Sequence, residues 1–166
     1  MQDLARLESL CQALRCVADE EIMPRFRKVS ASLKEDGTLL TEADLAAQRA
    51  LARLLPGIAP YPVLGEEMTE LEQQALWAAS PDGLWVVDPV DGTTNFAHGM
   101  PYFAVAAALM RDGRPVLGVV VDVVAGLTYT AIAGQGAYCD GQPLARVNET
   151  RGRREVVIIT DIKEIV

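Results

Sequence analysis

From residue 3 to about residue 26, apolar side chains recur every three or four positions, at Leu4, Leu7, Leu10, Cys11, Leu14, Val17, Ala18 and Ile22. That period predicts an amphipathic helix, and Pro24, which has no N–H and crowds the preceding turn, is expected to kink or end it. A second helical pattern starts after Thr41, a residue suited to N-capping. Glu42 and Asp44 sit at the positive end of its dipole, and Leu45, Leu51, Leu54 and Leu55 share a face. Pro56-Gly57 is expected to stop it. Between the helices, Lys34-Glu35-Asp36-Gly37-Thr38 reads as a charged hairpin or loop, with Lys34 open between a solvated loop lysine, the favoured reading, and one that approaches the phosphate or metal site.

At Pro62 the pattern shortens. Pro62-Val63-Leu64 reads as a strand entering Gly65-Glu66-Glu67, and a helix is predicted over 69–79, closed by Ser80-Pro81-Asp82-Gly83. Apolar runs over 84–90, 103–110, 116–123, 127–133 and 136–139 then alternate with Gly, Pro and Asp breaks. A last β-branched run covers 156–160. Arg111-Asp112-Gly113 and Cys139-Asp140-Gly141 suit hairpin turns, so most of this sheet is expected to be antiparallel. Helices followed by a meandering sheet predict an α+β layered fold, with Trp77 and Trp85 as core or layer contacts.

Composition narrows the picture. The chain has 166 residues, half of them apolar, enough for one core and too few for a second, so 1–166 is read as a single domain. Its longest apolar stretch, 103–110, is too short to cross a bilayer, and Met1-Gln2-Asp3-Leu4 has no basic-then-apolar export pattern. A cytoplasmic location is therefore expected, without membrane attachment. Cys11, Cys16 and Cys139 are few, odd in number and without metal-ligand spacing, as reduced thiols would be. The net charge of −8 repels phosphodiester backbones and argues against nucleic acid as a partner. Arg151-Gly-Arg-Arg154 is too short a basic stretch to reverse that. An anionic small substrate is compatible with this acidity only if metal ions stand between it and the protein.

The segment Trp85-Val86-Val87-Asp88-Pro89-Val90-Asp91-Gly92-Thr93-Thr94-Asn95-Phe96 carries the candidate chemistry. A buried strand delivers two carboxylates at its end. Residues three apart on a straight strand face opposite sides, but Pro89 cannot join a hydrogen-bond ladder and forces the chain off its regular path. Asp88, the Val90 carbonyl and Asp91 can then converge, offering three oxygens of the kind hard cations take. Gly92-Thr93-Thr94-Asn95 follows with backbone N–H groups, two hydroxyls and a helix start, which suits a phosphate. Asp-Pro and Asp-Gly are ordinary turn formers singly; the combination reads as a phosphoryl-transfer layout. The Asp-x-x-Asp spacing favours two carboxylates holding metal, with a metal-activated water attacking, over a phospho-aspartate intermediate. Glu67 reads as a solvated or capping acid, and His98 as a turn residue rather than a general base. Asp44 stays open between a first-turn helix acid and a catalytic group.

Residues Asp88 to Phe96 closely resemble the first signature of the inositol monophosphatase family. Gly65-Glu66-Glu67, Thr41-Glu42-Ala43-Asp44 and Gly134-Gln-Gly-Ala-Tyr-Cys-Asp-Gly-Gln142, similar to the family's Gly-rich hairpin, add to the likeness. The resemblance implies two long helices on a mostly antiparallel sheet, the N-terminal αβ layers of an αβαβα sandwich. It implies that Glu66, Asp88 and the Val90 carbonyl hold one metal, and that Asp88 and Asp91 hold a second. Thr93, paired with Asp44, would orient the attacking water, while Gly92 and Thr93 grip phosphate through their N–H groups. The implied catalytic residues are Glu66, Asp88, Asp91, Thr93 and Asp44; those facing substrate are Glu66, Asp91, Gly92, Thr93 and Thr94. The cofactor would be Mg²⁺, two or three ions, with Mn²⁺ as a substitute.

The implied reaction is hydrolysis of a small phosphorylated alcohol, most simply inositol 1-phosphate, by a protein that is a homodimer when complete. Histidinol-phosphate, fructose-bisphosphate and nucleotide 3′-phosphate are the family's alternatives, although Asn95-Phe96 looks more like the inositol branch. Family members continue into a second αβ half with a Trp-Asp-x-Ala-Ala-Gly signature, and that motif does not occur in these 166 residues. The expectation is a truncated domain with most of the metal site and little activity alone, or else a non-catalytic metal-binding interaction module.

Overall fold

The computed structural model describes residues 2–28, 31–33 and 39–145. Lys34 and its turn, Arg151 to Arg154 and the run 156–160 lie outside the described residues.

Helix α1, Gln2–Val17, buries Leu7, Leu10, Leu14 and Val17. It passes into a wider π turn, Ala18–Ile22, and a 3₁₀ turn, Met23–Arg25, that contains Pro24. The change of pitch keeps Ala18 and Ile22 on the buried side, and the chain turns extended at Phe26. A short antiparallel pair of β1, Ala31–Leu33, and β2, Leu39–Thr41, precedes α2, Glu42–Ile58. Pro56 does not stop α2 as its chemistry suggested. Leu55 is fully buried and Ile58 packs against the core, and the Ala59 N–H closes the last turn on the Leu55 carbonyl at 3.2 Å. Core packing outweighs the hydrogen bond that the proline removes.

The remaining elements are β3, Val63–Gly65; α3, Glu70–Ala79; β4, Leu84–Asp91; α4, Thr93–Ala97; β5, Ala104–Arg111; β6, Arg114–Asp122; β7, Leu127–Ile132; β8, Gly136–Cys139; and β9, Gln142–Pro143. Strands β3 to β9 form one sheet in sequence order. β3 runs parallel to β4, with α3 as its crossover, and every later pairing is antiparallel. The mixed α+β architecture, helices on a mostly antiparallel sheet, matches the pattern of apolar runs.

Strict alternation along β5 and β6 sends Val105, Ala107, Leu109, Leu117, Val119 and Val121 toward α1 and α2, where they join Trp85 and Val87 in the core. Trp85 is buried, and its indole N–H donates to the Ala59 carbonyl at 3.1 Å. Trp77 differs from expectation, being 47% exposed, because α3 buries no residue and lies outside the main helix layer. The opposite face of the sheet presents Val86, Ala106, Ala108, Val120, Tyr129 and Leu144 around an open trough of about 450 Å³ that also touches Asp88.

Candidate metal and phosphate site

Glu66 and Asp88 are brought together by strand register. Val63, Leu64 and Gly65 of β3 pair with Trp85, Val86 and Val87 of the parallel β4. One further step along both strands brings Glu66 level with Asp88, at the carboxyl ends of the only parallel pair among the described residues.

Asp91 joins them through a bulge. Asp88 pairs with Ala106 of β5, and Asp91 pairs with Ala104, so three steps on β4 match two on β5. The one inserted residue cancels the alternation that would send the two aspartates to opposite faces. Pro89, with no N–H for the ladder, stands inside this irregularity. Val90 goes inward and is buried, and its carbonyl oxygen lies 2.9 Å from Thr93 Oγ1, one of two acceptors within reach of that hydroxyl's single proton.

Beyond Asp91 the chain reverses at Gly92, whose φ of +95° suits glycine. A Cβ there would also come within 3.1 Å of the Tyr102 carbonyl oxygen. Gly92 caps α4, and the first intrahelical bond runs from the Phe96 N–H to the Gly92 carbonyl, 3.0 Å. The N–H groups of Thr93, Thr94 and Asn95 precede that bond and have no intrahelical acceptor. The exposed His98 ring places Nδ1 2.8 Å from the Thr94 carbonyl oxygen, a turn contact rather than one aimed at the carboxylates.

Asp44 is a first-turn helix acid that also reaches the Asp88–Asp91 segment. It is almost wholly buried. Its Oδ2 accepts the Thr41 N–H at 2.8 Å and the Thr41 hydroxyl, while Thr41 Oγ1 accepts the Ala43 N–H at 3.2 Å, which makes a capping box for α2. Its other oxygen, Oδ1, lies 2.9 Å from Thr93 Oγ1. The same carboxylate thus starts a helix and reaches the hydroxyl beside the bulge.

Asp88 is the strained group. Its Oδ1 is buried without a hydrogen-bond partner. Burial first, then the negative charges of Glu66 and Asp91 and a hydrogen bond with Glu66, push its pKa up to about 7, against the opposing pull of the Val90 N–H. Like charges held this close disfavour full ionisation. Among the described residues, no three His, Cys, Asp or Glu side chains form a ready metal-holding group. Asp88 therefore meets Glu66 and Asp91 as mutually repelling neighbours, and the three do not close into a cage.

Two residues with no signal of their own in the sequence also touch the site. Gln48 on α2 and Gln73 on α3 both hydrogen-bond the Glu66 bend. Only their long-range placement gives them away, since isolated glutamines on helix faces are commonplace.

Residues 3–164 match the family model for the inositol monophosphatase family. The chain is 37% identical over 137 residues to an inositol-1-monophosphatase of Rhizobium meliloti, a match covering 81% of this chain and 48% of the relative. Its fold superposes with a TM-score of 0.74 on an IMPase of Thermotoga maritima, at 32% identity, covering 87% of this chain and 54% of that one. It superposes with a TM-score of 0.67 on an IMPase/NADP phosphatase complexed with Mg²⁺ and phosphate, at 26% identity, covering 81% and 50%. The chain spans about half the length of the relatives it matches. A parallel β3–β4 pair, a bulge that aligns two aspartates and a Gly-Thr-Thr helix start thus occur in a chain matched along nearly its whole length, and this protein belongs to the inositol monophosphatase family.

Proposed function

We propose that this chain is one αβ unit carrying most of the divalent-metal and phosphate site of a phosphoric monoester hydrolase. The observation that carries the reading is the unpartnered, buried Oδ1 of Asp88, set between Glu66 and Asp91. An orphaned carboxylate oxygen flanked by two carboxylates, with the Val90 carbonyl following in the same bulge, offers an all-oxygen donor set that suits Mg²⁺ or Mn²⁺. Two or three Mg²⁺ ions are the proposed complement. Glu66, Asp88 and the Val90 carbonyl would hold one ion, and Asp88 and Asp91 another. Divalent ions there supply charge neutralisation of the phosphate and a lowered pKa for water.

The chain's own groups perform the rest. Gly92 and Thr93 present backbone N–H groups to phosphate oxygens, with the Thr94 hydroxyl alongside. Thr93 Oγ1, 2.9 Å from Asp44 Oδ1, accepts a hydrogen bond from the attacking water while its own O–H points at the buried Asp44 carboxylate, which keeps the threonine lone pairs turned toward the water. Glu66 and Asp91 face the substrate as well as the cations. The proposed substrate is a small phosphorylated alcohol, inositol 1-phosphate first, and the complete protein is proposed to be a homodimer. Among the described residues no helix is long and apolar enough to cross a membrane. An NADP-phosphatase activity in a structural relative keeps nucleotide phosphates on the substrate panel, beside histidinol-phosphate and fructose-bisphosphate.

A second reading has its own support. Among the described residues the apolar trough beside Asp88 is open, without the dry enclosure that strengthens electrostatic catalysis. On that ground the 166 residues alone are proposed to bind metal with little turnover, as an interaction module would. Calorimetry with Mg²⁺ and Mn²⁺, run beside a phosphate-release assay, separates the cases. Metal uptake with weak release fits the proposal, and strong release by these 166 residues refutes the low-turnover half. If neither ion produces heat or a stability shift, the metal-site reading fails.

A further inference from the structure

The bend that carries Glu66 is held by side chains from two helices. From α3, the Gln73 Nε2 donates to the carbonyls of Gly65, Glu66 and Met68, each at 3.1 Å. A carboxamide nitrogen has two protons, so three carbonyls share them and the nitrogen becomes the hub of the bend. From α2, the Gln48 Oε1 accepts the Glu67 N–H at 3.1 Å. A Cβ built on Gly65 would stand 2.4 Å from that same Oε1. Gly65 does not adopt a positive φ, so its service is space: it lets the glutamine close on the bend. Within the bend the Met68 N–H also reaches the Gly65 carbonyl at 3.3 Å, and the Gly65 N–H lies 3.4 Å from Met68 Sδ.

We infer that Gln48 and Gln73 are positioning residues that together hold Glu66 opposite Asp88, so that the cation affinity of the site is set partly from α2 and α3. The physical reason is like-charge repulsion. Glu66 and Asp88 repel one another when ionised, and an unclamped bend relieves this by moving Glu66 away, which spoils the ligand geometry before any cation arrives. Ligand-supporting groups outside the coordination sphere commonly govern affinity in this way. Gln74 offers an internal contrast, since its amide bonds only Glu70 on its own helix, at 2.9 Å.

The inference rests on the metal reading of Glu66, and its test separates the two. In the 166-residue chain, Gln73→Met removes the donor and Gln48→Met the acceptor, both without changing charge. Gln48→Glu keeps an acceptor oxygen, and Gln74→Met is the control. Amide hydrogen exchange over residues 65–68 reads the clamp without metal, and calorimetric titration with Mn²⁺ reads the site. Gln73→Met and Gln48→Met should each speed exchange of the Glu67 amide about tenfold, the effect of one net hydrogen bond, and weaken Mn²⁺ binding to a similar degree. Their unfolding midpoints should stay within about 3 °C of the parent. Gln48→Glu should restore Glu67 protection, and Gln74→Met should change nothing. Unchanged exchange in Gln73→Met overturns the clamp, and faster exchange with unchanged Mn²⁺ affinity overturns its link to the site. Were the parent chain to take up no Mn²⁺, the metal reading and the affinity claim would fall together, and exchange would still decide whether the glutamines hold the bend.

Discussion

Asp88 carries an electrostatic cost that folding imposes. Its carboxyl has an ordinary value of 3.8 when solvated and about 7 in the fold, raised first by burial and then by Glu66 and Asp91. The native state therefore holds a proton that the unfolded chain has released, and stability falls as pH rises through that interval. The contribution is complete below about pH 4 and gone above about pH 7. Thermal unfolding of the metal-free chain from pH 4 to 8 should show this decline beyond the background of other groups, and millimolar Mg²⁺ should reverse it at the alkaline end. Asp88→Asn removes the charge but not the shape. At pH 8 without metal it should be more stable than the parent, on the order of 1 kcal/mol after solvent screening of a partly exposed site, and it should lose the Mg²⁺-induced rise in melting temperature. An unchanged Mg²⁺ response in that variant would remove Asp88 from the ligand set. Gly92 poses the backbone counterpart. With φ at +95° and the Tyr102 carbonyl 3.1 Å from where a Cβ would stand, Gly92→Ala should cost about 1–3 kcal/mol in urea unfolding.

Elements matter here for where they end. β4 ends in a bulge between Asp88 and Asp91, β3 ends opposite Val87 just before it, and α4 begins two residues after β4, so three ends of regular elements meet at one place. Such ends carry unpaired backbone groups, which is why chemistry collects at them. α2 also starts there, with Asp44 shared between its cap and Thr93. Thr41→Ala should thus do two things: weaken α2 by about 1–2 kcal/mol, and release Asp44 from one of its donors, the Thr41 hydroxyl, while the backbone N–H stays in place. Thr41→Ser, which keeps the hydroxyl, should recover most of the stability in urea titrations. The second capping box, at α3, is exposed, and its hydrogen bonds to Thr69 hold the Glu72 carboxyl below the usual range. Its contribution is present above the ordinary glutamate pKa and is lost as pH falls, so α3 should fray first in acid.

For the molecule as a whole, the asymmetry of the sheet sets its behaviour. One face is sealed by α1 and α2; the other shows Val120, Tyr129 and Leu144 at 38, 36 and 49% exposure around the trough beside Asp88. Exposed apolar surface of this kind promotes association. The chain should bind an apolar fluorescent dye and self-associate with rising concentration in sedimentation velocity. Val120→Lys should reduce both while leaving the midpoint of unfolding within about 3 °C, because Val120 contributes nothing to the sealed core. Equal dye binding by that variant would show that the trough is not the sticky face.

Much of this organisation is written locally. The periodicity of residues 4–22, the Thr41 and Thr69 caps, the alternation of β5 and β6 and the Pro-interrupted Asp88–Asp91 segment all follow from interactions within a few residues, which an isolated sequence contains in full. Pro56 and Trp77 went the other way for one reason: a proline's cost and a tryptophan's burial depend on what packs against them, and that is absent from a local window. The same holds for the site. Which hydroxyl Asp44 meets 49 positions away, the parallel register that sets Glu66 beside Asp88, the hold of Gln48 and Gln73 on that bend, and the choice of which sheet face stays open were decided only by tertiary structure. Each is a pairing between distant segments, fixed by the shape of a shared core rather than by the preferences of either segment.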